Sequence, residues 1–141
     1  MSTSLTPEER REVFGDFDPS THDAEAEERW GSTPAYQQSA ARTRDYTKDD
    51  WIRIKAEADD ITRRLGAAFT SGLAPSAPQA MDLAEEHRRH IGRRFYDCPK
   101  EMHVKLGEMY VADPRFTATY DTVAPGLARW FHEAITANAA R

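Results

Sequence analysis

The residues of this 141-residue chain with the most chemical reach are five histidines, a single cysteine and a cluster of arginines. His87 and His90 stand three apart, and Glu86 and His90 four apart, spacings that meet on one face of a helix and could offer a metal two ligands. A metal site in a helical bundle needs matching ligands from other helices. His103 with Glu108, five apart and diverging, or His132 with Glu133 are all the chain supplies, so these histidines read as solvated or core-edge residues and no metal is assigned. Arg88, Arg89, Arg93 and Arg94 could form an anion patch. Basic residues in the last turns of a helix also complement its negative end, and Glu85 and Glu86 offer them partners one turn away, which is the stronger reading. Cys98 has no orienting carboxylate or oxyanion hole marked around it; it is either a thiol acidified at a helix start or a small buried residue. No Gly-rich phosphate loop, serine elbow or Cys-x-x-Cys pair occurs, so no catalytic residue is assigned.

The elements that would position these groups all read as helices. Thr6-Pro7-Glu8-Glu9 and Thr33-Pro34 each combine a capping residue with proline at the first helical position. Thr47-Lys48-Asp49-Asp50 opens a long helix whose buried face is Trp51, Ile54, Ala58, Ile61, Leu65 and Ala68. A loop follows through Thr70–Pro78. A second long helix runs from Pro78 to Arg94 with Met81, Ala84, His87 or Arg88, and Ile91 inward, weakened at its end by Gly92. A third begins after Asp97-Cys98-Pro99, carries Met102, Leu106, Met109 and Tyr110, and stops at Asp113-Pro114. The last starts near Thr122–Pro125 and continues through Leu127, Trp130, Phe131, Ala134 and Ile135, with a fraying tail over Thr136–Arg141. No segment shows the period-two pattern of a strand, so the fold class is all-α.

Composition bounds the function. With 24 acidic against 19 basic residues the net charge is −5, which argues against direct nucleic-acid binding. The longest apolar runs, such as Gly66–Phe69, fall far short of the roughly 20 residues a membrane span needs. The opening residues lack a secretory signal and one cysteine makes no internal disulfide, so a cytoplasmic home is expected. Residues 1–46 contain no isoleucine and only Leu5 and Val13 among leucine and valine, while Phe14, Phe17, Trp30, Tyr36 and Tyr46 supply large rings. Such a segment makes little core alone and suits ordering on a ligand or partner. The chain therefore divides into an N-terminal helical lid, 1–46, and a helical core, 47–141.

The strings Val13-Phe14-Gly15-Asp16-Phe17-Asp18-Pro19, Glu28-Arg29-Trp30-Gly31, Tyr46-Thr47-Lys48, Asp49-Asp50-Trp51, Tyr96-Asp97-Cys98, Glu101-Met102-His103 and Leu106-Gly107-Glu108-Met109-Tyr110-Val111 resemble, in order and nearly end to end, the TipAS antibiotic-recognition domain. The resemblance implies a globin-like helical domain without haem or other cofactor, and an N-terminal portion that is mobile when empty and closes over the ligand. It also implies the effector-binding half of a MerR-type, thiostrepton-responsive activator, or a free protein that sequesters thiopeptides and so confers drug resistance. With Leu5-Thr6-Pro7-Glu8-Glu9 at its start and no winged helix-turn-helix or dimerising coiled coil ahead of it, the chain resembles the free form, and a monomer is expected. Well-known members carry a cysteine two residues after the Met-His pair that captures a dehydroalanine of the antibiotic. Here that position is Lys105, whose ammonium is a much poorer nucleophile than a thiolate, so capture is expected to be non-covalent.

Candidate ligand contacts, chosen by residue type and position, are Phe14, Phe17, Trp30, Tyr36, Phe95, Tyr96, Met102, Met109 and Tyr110 as flat or soft surfaces. Asp16, His87, His103 and Lys105 are the candidate polar anchors, and the heptad-like spacing of Cys98, Met102, Lys105 and Met109 adds Cys98 to the same helix side as a candidate contact. A packing reading instead keeps Cys98, Met102 and Met109 in the core with Lys105 at its rim. Competing functions from other classes are a small metal-dependent helical hydrolase using His87, His90 and a third ligand, and a protein–protein interaction module.

Overall fold

Local capping chemistry sets where the first helices begin. The computed structural model describes residues 6–14 and 33–141, the side chains of Arg10 and Phe14 excepted; Asp16, Phe17, Trp30 and the Phe14 side chain, named above as ligand contacts, lie outside the described residues. Helix α1 is Pro7–Phe14, where Thr6 Oγ1 accepts from the Glu9 amide and Glu9 Oε1 accepts from the Thr6 amide, both at 3.1 Å. Helix α2 is Pro34–Thr43, capped by Thr33 with Pro34 in its first turn. Helix α3, Lys48–Thr70, repeats the reciprocal cap with Thr47 and Asp50 at 3.2 and 2.9 Å. All three starts match the sequence reading. Helix α3 ends at Gly72, whose φ of 84° is the left-handed conformation glycine adopts without penalty. Its amide reaches the Phe69 carbonyl while the Leu73 amide reaches that of Ala68, a pairing that satisfies two otherwise orphaned acceptors.

Helices α4 (Pro78–Arg94), α5 (Lys100–Ala112), α6 (Pro114–Asp121) and α7 (Leu127–Ala140) follow. No strand occurs among the described residues, and the fold is all-α. Three expectations about helix ends are corrected. Asp113-Pro114 ends α5 but also starts α6, because the Asp113 carboxylate accepts from the Arg115 amide at 3.0 Å and Pro114 occupies the first turn. The tail over Thr136–Arg141 does not fray: α7 continues to Ala140, held by Asn138, only 1% exposed, whose Nδ2 donates to Glu85 Oε1 at 3.0 Å. That helix also begins later than expected, after Gly126.

The described residues form two compact units. The first comprises the residues up to Glu57 with Ile91–Asp97. Its apolar centre is Val13, Trp51 and Ile54, with Tyr46 edge-on to Trp51 at 5.5 Å and Phe95 at 6.2 Å from it. Polar contacts complete it: Arg42 donates to the Gly92 carbonyl, Tyr46 to that of Arg94, and the Asp97 amide to Gln38 at 2.8 Å. The second unit comprises Ala58–His90 and Cys98–Arg141. Leu65, Leu127, Phe131, Ala134 and Ile135 are fully buried there, α5 packs on α7, and α6 packs on both. The expected face of α3 is the face that is buried, Trp51 and Ile54 in the first unit and Ile61 and Leu65 in the second. On α4 the inward residues are Ala80, Ala84 and His90 as well as Ile91, with Met81 only partly buried.

Candidate functional site

The second unit is organised around a box of rings with two histidines inside it. Tyr110 from α5, Tyr120 from α6 and Phe131 from α7 pack with centroids 5.0 to 6.0 Å apart, and Phe116 lies 6.0 Å from Tyr110. His87 from α4 meets the Phe131 ring edge-on at 4.9 Å. His103 from α5, 1% exposed, meets His87 edge to edge, with centroids 5.1 Å and planes 24° apart, and His87 Nδ1 and His103 Nε2 are 2.9 Å apart, hydrogen-bonded. Burial, then the neighbouring histidines, push His87 down to about 3; burial, then the nearby Arg88 charge, push His103 down to about 4. Both rings are therefore neutral at pH 7. Burial pushes the Tyr120 phenol up to about 12.

A polar node lies beside the box. Glu85, with a side chain 15% exposed, accepts from Arg88 at 2.8 and 2.6 Å, from Arg89 at 3.0 Å and from Asn138 at 3.0 Å. These donors, Arg88 first, hold its carboxyl far below the usual range. Arg88 also donates to the Cys98 carbonyl at 2.9 Å. Glu86 turns the other way and pairs with Arg64. In the first unit Arg94 pairs with Glu57 at 2.8 Å. Arg88 and Arg89 thus pair with Glu85 one turn away, as expected, whereas Glu86 and Arg94 take partners distant in sequence, Arg64 and Glu57.

The remaining candidates fall as follows. Tyr36 on α2 is partly buried, Tyr96 likewise, and Phe95 packs on Trp51. On α5 the buried face is His103, Gly107 and Tyr110; Met102 and Met109 are partly buried and Lys105 is exposed. Cys98 precedes the helix, is 5% exposed, and burial pushes its thiol up to about 11. It is thus a small buried residue, and desolvation outweighs any acidifying effect of the helix start. Open grooves of about 440 and 530 Å³ lie elsewhere in this unit, one around Gly66 and Val123, the other around Val111, Ala128 and His132. None of the candidate contacts among the described residues lines either.

The sequence reading did not find Glu85 as a hub, Asn138 as its partner, or Phe131 as the centre of the box. No local signal marks contacts made across 53 residues. Among the described residues no three His, Cys, Asp or Glu side chains converge on a metal position.

Fold and site define an all-helical domain built on an uncharged histidine and tyrosine core. The chain belongs to the TipAS antibiotic-recognition domain family, whose model matches residues 22–138. It is 54% identical, over its whole length, to the HTH-type transcriptional activator TipA of Streptomyces coelicolor, covering 56% of that protein. It is 32% identical to the HTH-type transcriptional regulator SkgA of Caulobacter vibrioides over 90% of this chain and 52% of that one. The chain thus spans about half the length of the curated relatives it matches. Among solved structures it is similar to TipAS of Streptomyces lividans in complex with nosiheptide, with a TM-score of 0.91 and 54% identity over 99% of this chain and 98% of that. It is also similar to the antibiotic-binding domain of a TipA-class multidrug resistance transcriptional regulator, with a TM-score of 0.60 and 52% identity over 64% of this chain and 97% of that. Among the described residues no helix is long and apolar enough to cross a membrane.

Proposed function

We propose that this chain is a non-enzymatic, monomeric, cytoplasmic protein or module that binds a bulky thiopeptide antibiotic reversibly. It then acts either by sequestering the drug or as the effector-sensing part of a MerR-type regulator, with no nucleic-acid contact of its own. The observation that carries the reading is the end-to-end likeness to TipAS in its nosiheptide complex, at 54% identity and with a TM-score of 0.91. The aromatic-rich, aliphatic-poor composition of residues 1–46 adds a mechanism: this lid orders on the ligand, and part of the binding free energy is used in ordering it. Lys105, exposed on α5, stands where the resemblance places a capturing cysteine, so the complex is non-covalent at that position.

Titration of the full chain with nosiheptide and thiostrepton, followed by intact mass under denaturing conditions, tests this. One-to-one binding that leaves the protein mass unchanged after denaturation is expected. Absence of binding to both drugs would overturn the thiopeptide assignment, and a mass increase equal to the drug would overturn the non-covalent one. Removal of residues 1–46 is expected to weaken binding severely; an unchanged affinity would overturn the lid.

A further inference from the structure

His87 and His103, two of the candidate polar anchors, are bonded to one another, and that bond has a property of its own. His87 Nδ1 and His103 Nε2 face each other at 2.9 Å, so one proton lies between them and ties α4 to α5. A neutral pair can be built two ways: His87 donates from Nδ1, leaving the His103 proton on Nδ1, or His103 donates from Nε2, leaving the His87 proton on Nε2. In either case the two rings carry the same tautomer. One added proton settles on an outer nitrogen and the N–H···N bond survives as a charged one. A second added proton puts a hydrogen on both inner nitrogens, and two N–H groups cannot point at each other across 2.9 Å.

His103 is buried and His87 partly buried, and the groups around them favour the neutral rings. On α4, His90 and Arg88 oppose protonation, and Glu85, the carboxylate that favours it, is already bonded to Arg88, Arg89 and Asn138. From α5 comes the Tyr110 phenol, from α6 the Tyr120 phenol behind it, and from α7 the Phe131 ring. We infer that the His87–His103 pair is a two-proton switch built into the second unit, closed while the rings share a proton and forced open when both become imidazolium. Because both folded-state values lie below the ordinary histidine value of 6.5, the stability carried by the neutral pair is complete above that value and is lost as pH falls through about 4 and 3. Acid is then a second input to this domain.

Long-range ¹⁵N imidazole spectra of the full chain, with near-ultraviolet circular dichroism over the same pH series, test the switch. At pH 7 the two rings are expected to show the same neutral tautomer. The native dichroism should then disappear between roughly pH 5 and 3 with a Hill slope near two. His103→Gln should lower that slope by about one and abolish the coupled ring titration, whereas Glu85→Gln, which removes only its own carboxylate from the acid limb, should leave the shared tautomer and the coupled titration of the two rings in place. Different tautomers, ordinary titration of both rings near 6.5 in the folded protein, or native dichroism retained with both rings charged would each overturn it. The wild-type spectra decide the matter even where a variant does not fold.

Discussion

Two glycines in equivalent helical surroundings make a controlled comparison. A Cβ on Gly92, near the end of α4, would meet nothing within 4 Å; one on Gly107, in α5, would lie 3.0 Å from His132 Cδ2 and 3.3 Å from Ile135 Cδ1. Replacing either with alanine removes the conformational freedom glycine has in the unfolded chain and favours the folded state by about 0.4–1 kcal/mol. At Gly92 that is the whole effect, so Gly92→Ala is expected to stabilise by about that amount. At Gly107 the new methyl presses on Ile135, which is fully buried, and on a ring whose own Cα is 3.6 Å away. Overpacking of this kind costs about 1–3 kcal/mol. The difference between the two variants cancels much of the propensity gain and isolates the packing cost: about 1–3 kcal/mol, or several degrees in Tm at roughly 4 °C per kcal/mol. Urea unfolding at pH 7, read as midpoint and slope, measures it. If Gly107→Ala gained as much as Gly92→Ala, the close approach of α5 to α7 argued here would be refuted.

Glu85→Gln at pH 7 is expected to cost about 2 kcal/mol, the value of a hydrogen bond to a charged partner in a site of limited exposure. Because Arg88 and the other donors lower the folded-state pKa of Glu85, its contribution is complete above the ordinary value of 4.5 and lost as pH falls below it. The variant should therefore lose stability less steeply than wild type on the acid side of pH 4.5, and parallel acid limbs in urea titrations would count against the node. Thr47→Ala removes the acceptor for the Asp50 amide and should cost about 1 kcal/mol, with Thr47→Ser restoring most of it; equal stability of the two variants would contradict the cap.

Much of the fold was legible because its signals are local. Thr6, Thr33 and Thr47 cap helices by bonding to backbone three residues on, and the Trp51-to-Leu65 stripe lies within one helix, so both are written in short strings. Asp113-Pro114 misled because the same two residues stop one helix and start another, and only tertiary packing decides whether the second forms. The α7 tail misled for a different reason: Thr136-Ala137-Asn138-Ala139-Ala140 has little to bury, and its anchor is Glu85. His87 and His103 were each flagged as polar residues near the ligand, but their bond joins two helices and their neutrality comes from burial, neither of which spacing conveys. The family's motifs were legible in order, whereas the stripe Cys98, Met102, Lys105 and Met109 was drawn on a helix that begins only after Cys98.

The donors and acceptors of the first unit also impose an order in time. Arg42 and Tyr46 bond to the carbonyls of Gly92 and Arg94, and Gln38 to the amide of Asp97. During synthesis the earlier residues leave the ribosome about fifty positions before the groups they bind. Helix α2 can settle into its final place only after α4 has been made to its last turn, so an element made early is among the last to be fixed.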